Sequence, residues 1–87
     1  MYDFEFDNNK STSNLEKHGI DFASAQELWL DAGLVEVQTK SEDEPRFVVI
    51  AKIANKYWSA VITHRGSTIR IISVRRSRKA EVEIYES

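Results

Sequence analysis

Three runs of strand-forming residues, Arg46 to Ala54, Tyr57 to Arg65 and Thr68 to Arg76, are separated by breaks of only two residues, Asn55-Lys56 and Gly66-Ser67. Breaks this short join antiparallel neighbours, because a parallel crossover needs a dozen residues or more. Gly-Ser is a hairpin signal in its chemistry, with glycine free to enter the left-handed region, and Asn-Lys is a weaker one. The carboxyl-terminal half therefore predicts a strand meander. Its last run, TIRIISVRR, leads into SRK and is expected to form the central strand and exit corner of the sheet.

Two-residue loops fix a register. Arg65 is expected opposite Thr68, Thr63 opposite Arg70, Val61 opposite Ile72 and Tyr57 opposite Arg76. Across the first hairpin, Ala54 is expected opposite Tyr57, Lys52 opposite Ser59, Val48 opposite Thr63 and Arg46 opposite Arg65. Opposed residues share a face. One face then carries Phe47, Val49, Ala51, Ile53, Trp58, Ala60, Ile62, Ile69 and Ile71, with Ser73, His64 and Arg75 at its ends. This is the expected core face. The other collects five cations, Arg46, Lys52, Arg65, Arg70 and Arg76, around Val48, Ile50, Val61, Ile72 and Val74.

Ahead of the meander, Tyr2, Phe4 and Phe6 alternate with acidic residues in the period of a strand. Asp7 is placed to cap a helix over Asn8 to His18, which Gly19 closes in the left-handed position. Ser11, Thr12, Ser13 and Asn14 make that helix poor by propensity. A second helix starts at the Asp21 cap with Ile20 stapled to Ala25, and Phe22, Ala25, Leu28 and Trp29 form its core stripe. Leu34, Val35 and Val37 read as a short strand, and Lys40 to Pro45 as a loop. A final helix, capped by Ser77, runs from Arg78 to about Glu86. The expected architecture is a single α+β domain over residues 1–87, in the order β-α-α-β-β-β-β-α, with a small antiparallel sheet and two amino-terminal helices packed on one face.

The net charge of −2 conceals an uneven chain. Before Pro45, three lysines stand against eleven carboxylates; from Pro45 onward, nine Lys or Arg stand against three. Such asymmetry points to a polyanionic partner, with mutual neutralisation of the two halves as the structural alternative. There are no cysteines, so disulfides and thiolate metal sites are excluded. The amino terminus lacks the pattern of a secretory signal and no apolar run approaches membrane-spanning length, which makes a cytoplasmic location the expectation.

No metal constellation, phosphate-binding glycine loop or nucleophile elbow is present, so neither a metal nor a cofactor is expected. Clustered arginines on a sheet, with Tyr and a nearby Lys or His, fit one metal-free reaction, transesterification of RNA by its own 2′-OH. The cations stabilise a dianionic phosphorane and modest acids and bases move the protons. The same cluster also suits a non-catalytic module that binds nucleic acid or an acidic protein.

Phe4-Glu5-Phe6-Asp7, Lys10, Asn14, Lys17-His18-Gly19, Phe22 and Ala25 are followed by Thr63-His64-Arg65-Gly66, Ile69-Arg70-Ile71-Ile72-Ser73, Arg75 and Tyr85-Glu86. Together these blocks resemble the BrnT toxin family. The resemblance implies a RelE-like fold and mRNA cleavage as an endoribonuclease toxin of a type II toxin-antitoxin system. It also implies neutralisation by a BrnA antitoxin, typically a ribbon-helix-helix protein that binds operator DNA. Asn8 stands where the family commonly has Pro, and His64 at a position the family leaves variable. On the matching positions, Arg65, Arg70 and Arg75 are the expected catalytic residues; Arg46, Lys52, Arg76, Lys79 and Tyr85 are expected to bind substrate. Lys17 and His18 match too, although a helix-end role explains them without chemistry.

Overall fold

The computed structural model describes residues 2–40 and 43–87, so Ser41 and Glu42 of the expected Lys40 to Pro45 loop, and Met1, lie outside the described residues. The strands are β1 (Asp3–Glu5), β2 (Val35–Thr39), β3 (Arg46–Ile53), β4 (Lys56–Arg65) and β5 (Thr68–Arg76); the helices are α1 (Asn8–His18), α2 (Phe22–Ala25) and α3 (Lys79–Glu86). A 3₁₀ segment, Gln26–Leu30, continues α2. The result is an α+β fold with a five-stranded sheet in the order β1-β5-β4-β3-β2. No helix among the described residues is long and apolar enough to cross a membrane.

The sheet is mixed, not purely antiparallel. β1 pairs parallel to β5, placing Phe4 beside Ile69 and Glu5 beside Arg70. Most of the chain intervenes, so the two-residue argument that governs the meander does not apply to β1. In the order β1-β5-β4-β3-β2 the middle strand is β4, and β5 lies between β4 and the edge strand β1, contrary to the expectation that Thr68 to Arg76 is central.

The first hairpin turns at Ala54-Asn55, one residue before the expected loop. Lys52 consequently lies opposite Tyr57, Ile50 opposite Ser59 and Val48 opposite Val61. Ala54 and Asn55 have φ of 49° and 67°, the double left-handed requirement of a type I′ turn, whose twist matches that of the strands it joins. The expected loop would have asked Lys56 to adopt that conformation. A register displaced by two residues keeps every side chain on its face, so the assignment of faces on β3 and β4 survives.

The second hairpin has the expected start, with Arg65 opposite Thr68 and Thr63 opposite Arg70; Gly66, at φ 61°, takes the first loop position. A β-bulge then intervenes. Ile62 faces Ile71 but Val61 faces Ser73, leaving Ile72 as the additional residue. One inserted residue exchanges the faces beyond it. Val74 enters the core, fully buried, and Ser73 leaves it. Arg75 stands opposite Ser59, whereas Arg76 stands opposite Trp58 in place of the expected Tyr57.

The helices α1 and α2 cover the core face as expected. Ile20, Phe22, Ala25 and Leu28 pack with Val49, Ala51, Trp58, Ala60, Ile62, Ile69, Ile71 and Val74. Asp7 accepts from the Lys10 amide at 3.0 Å and Asp21 from the Ser24 amide at 2.7 Å, so both helix starts have their side-chain caps. The polar residues that weaken α1 by propensity hold it in place. Ser11 Oγ accepts from the Phe22 amide at 2.9 Å. Asn14 Nδ2 donates to the carbonyls of Ile20 and Val74, each at 2.8 Å, while its Oδ1 accepts from the Val74 amide at 3.1 Å. Beyond the end of β1, Asn14 thus supplies the hydrogen bonds a neighbouring strand would have made.

The opposite face is not an open floor. α3 begins at Lys79 with Arg78, rather than Ser77, as its cap residue. It lies over the Tyr57 end of this face, where Tyr85 meets the Tyr57 ring edge-on at 5.4 Å and Glu81 accepts from Ser59 Oγ at 2.9 Å. Ile50 and Ser59 are buried there.

Candidate functional site

The bulge at Ile72 decides which cations share the face opposite the core. By strand parity these are Arg46 and Lys52 from β3, Arg65 from β4, and Arg70 and Arg75 from β5. Arg75 replaces Arg76 in the expected set of five. The guanidinium of Arg76 instead lies 5.4 Å from the centre of the Trp58 ring, and its Nε donates to the Tyr57 carbonyl at 3.3 Å.

Each of the three arginines expected to be catalytic meets a glutamate. Arg65 Nη2 lies 3.2 Å from Glu44 Oε1, and Arg70 Nη1 lies 2.7 Å from Glu5 Oε2. Arg75 reaches Glu81 through both terminal nitrogens at 2.7 Å. Glu5 and Glu44 come from the acidic half of the chain, so the two halves neutralise each other at these points. The pairs differ in exposure: the Arg65 side chain is 49% exposed, Arg70 28% and Arg75 24%.

Glu81 is the most heavily bonded carboxylate on this face. Besides Arg75, it accepts from Ser59 Oγ at 2.9 Å and from the Arg78 amide at 2.8 Å. The Arg75 guanidinium beside it, chiefly, and then these donors outweigh the opposing effect of burial and lower its pKa to about 2. A carboxylate that acidic is a weak proton acceptor near neutrality. Its geometry suits an anchor for α3.

Lys52 and Tyr85 come together along one cleft of about 430 Å³ that also exposes Glu27 and Asp31. Asp31 accepts from the amides of Gly33 and Lys52, each at 2.9 Å, and from the Tyr85 hydroxyl at 2.8 Å. Burial opposes its ionisation, yet these donors hold its pKa below the ordinary carboxylate value. A β-carbon at Gly33 would stand 2.7 Å from the Tyr85 oxygen, so the approach needs glycine. Lys52 Nζ lies 5.2 Å from the Tyr57 ring centre. Arg46 and Lys79 are exposed, at the start of β3 and in the first turn of α3. His64 sits at the end of the core face, 3.1 Å from Glu36 and edge-on to Phe47.

A second cationic region lies at the edge of β5. Lys10, Ser13, Asn14, Lys17 and His18 from α1 line a cleft of about 210 Å³ with Ile72 and Ser73. The site assignments made from sequence omit these residues. Their spacing, with Lys10, Ser13, Asn14 and Lys17 at i, i+3, i+4 and i+7, was the available signal, since it puts all four on one helix stripe.

A sequence-family model described as "Ribonuclease toxin, BrnT, of type II toxin-antitoxin system" matches residues 6–81. No curated protein matches the chain.

Proposed function

Because this chain belongs to the BrnT family of ribonuclease toxins from type II toxin-antitoxin systems, we propose that it is an endoribonuclease that cleaves mRNA without a metal ion. In the proposed reaction the substrate's 2′-oxygen forms a bond to the adjacent phosphorus as the bond to the 5′-oxygen breaks. The products carry a 2′,3′-cyclic phosphate and a 5′-hydroxyl; one proton leaves the 2′-OH and one reaches the departing oxygen. Arg65 and Arg70 stabilise the phosphorane, since planar guanidinium groups match its equatorial oxygens and a fixed cation needs little reorganisation. The observation that carries this reading is the Arg70–Glu5 pair: the carboxylate fixes the guanidinium through Nη1 and leaves the rest of its donor fork for phosphate.

Arg75 enters the proposal as a positioning residue, because Glu81 occupies both of its terminal nitrogens. Arg46 and Lys79 are proposed to hold flanking phosphates, with Lys52, Arg76 and Tyr85 bordering the strand. A RelE-like arrangement is part of this reading. So is a cytoplasmic BrnA-like antitoxin of ribbon-helix-helix type, which lays an acidic or amphipathic segment over the arginine face and alone contacts operator DNA.

The competing reading is a non-catalytic binding module, and the carboxylate partner of each central arginine favours it. Incubating RNA with the purified protein in EDTA separates the two. Fragments ending in 2′,3′-cyclic phosphate support the proposal. Binding without cleavage supports the module, and cleavage only on adding magnesium overturns the metal-free mechanism.

A further inference from the structure

We propose that the cleft between α1 and β5 seats a phosphodiester of the RNA strand, as a binding site separate from the arginine face; the proposal rests on the RNA-cleaving reading above. Among the described residues, the side chains of Lys10, Lys17 and His18 make no ion pair or hydrogen bond, and no carboxylate lines the cleft they share. The central arginines of the sheet, by contrast, all have glutamate partners. An anion entering this cleft meets Lys10 and Lys17 beside Ser13 and Ser73, with no resident carboxylate to displace.

Two backbone features build the cleft. The bulge at Ile72 turns Ser73 away from the core. Asn14 then bonds both backbone groups of Val74, which holds the stripe of α1 bearing Lys10 and Lys17 along that bulge. The lysines are point charges on flexible stems and suit a phosphate without reading a base. Arg70 and Ser73 stand three positions apart on β5, about 10 Å at the usual strand rise, so one extended strand is able to engage both regions. The site therefore supplies sequence-neutral grip.

The test uses an uncleavable probe, a fluorescent 2′-O-methyl oligoribonucleotide, with binding followed by anisotropy across a salt series. The Lys10→Ala/Lys17→Ala variant is expected to bind at least tenfold more weakly at low salt. Its slope of log K against log salt should be shallower by about 0.7, the value for one lost phosphate contact on a single strand. Both side chains are exposed, and an unchanged melting temperature will confirm that the fold is intact. Lys56→Ala, at the exposed start of β4, removes a charge elsewhere and should leave the slope unchanged. Equal slopes for wild type and the double variant, or an equal loss on removing Lys56, overturn the cleft. If wild type still cleaves RNA in that case, only this proposal falls. If wild type neither binds the probe nor cleaves RNA, the reading beneath it falls as well.

Discussion

Arg75 and Glu81 face each other through two parallel contacts of 2.7 Å, and the carboxylate side chain is only 16% exposed. This pair joins the last strand to the last helix across the turn between them. Bidentate geometry makes it one of the stronger ion pairs available to a protein of this size.

A pH dependence follows from the pair. The folded pKa of Glu81, about 2, lies below the group's ordinary value of 4.5, so the carboxylate stabilises the fold fully above 4.5 and loses that contribution as pH falls toward 2. The shift corresponds to about 3 kcal/mol. Urea unfolding of Glu81→Gln should show a loss of about 2 to 3 kcal/mol at pH 7, and a difference from wild type that narrows through the acid range. A constant difference from pH 7 to 2 would mean that Glu81 acts through packing alone.

Asn14→Ala should cost about 2 to 3 kcal/mol, because it leaves buried backbone groups of Ile20 and Val74 without partners. Hydrogen exchange at the Val74 amide should accelerate. Asn14→Asp retains an acceptor for that amide and loses the donor to both carbonyls, so its protection should be intermediate. Unchanged exchange in both variants would remove Asn14 from its role as a strand substitute.

Trp58→Ala should destabilise by about 3 to 5 kcal/mol, since Trp58 belongs to the core and its ring also receives Arg76. Tyr57→Ala should be milder: that side chain lies on the other face, against Tyr85 and bonded to Glu86. Urea midpoints in the reverse order would place the two residues on the wrong faces.

The alternation of Phe47, Val49 and Ala51 and the Gly66-Ser67 loop made the meander and its core face legible in the sequence. The bulge was not, because Ile71 and Ile72 are both β-branched apolar residues and nothing in Ile-Ile-Ser-Val marks which one is extra. The parallel place of β1 was equally hidden, since it depends on an edge left open by strands far along the chain. Propensity misled at Asn14, where a weak helix former is retained by its hydrogen bonds to β5. At the candidate site, the arginines were legible as a cluster, whereas their pairing with Glu5, Glu44 and Glu81 required the fold.

The first hairpin offers a test of loop chemistry. Ala54→Asn with Asn55→Gly supplies the residues a type I′ turn favours, and should stabilise by about 1 kcal/mol by easing the left-handed backbone. Thermal melts will read this directly. A destabilised double variant would argue against that turn.

Arg65→Ala and Arg70→Ala should each reduce RNA cleavage at least tenfold, with Arg70 the more severe because Glu5 fixes it. Single-turnover cleavage and circular dichroism on the same samples will separate lost chemistry from lost fold. Full activity in both would remove the arginine face from the reaction.

The parallel seam of β1 with β5 joins residues 3–5 to residues 68–70, so β1 has a partner only where β5 is present. The hairpins of β3, β4 and β5 close locally, but a contact across 65 residues requires an entropic closure that gains nothing until β5 exists. A fragment that stops before Thr68 has no template for β1 and no partner strand to hold Phe4 against the core. Such an unfinished chain exposes apolar surface to proteolytic clearance and cannot assemble the arginine face.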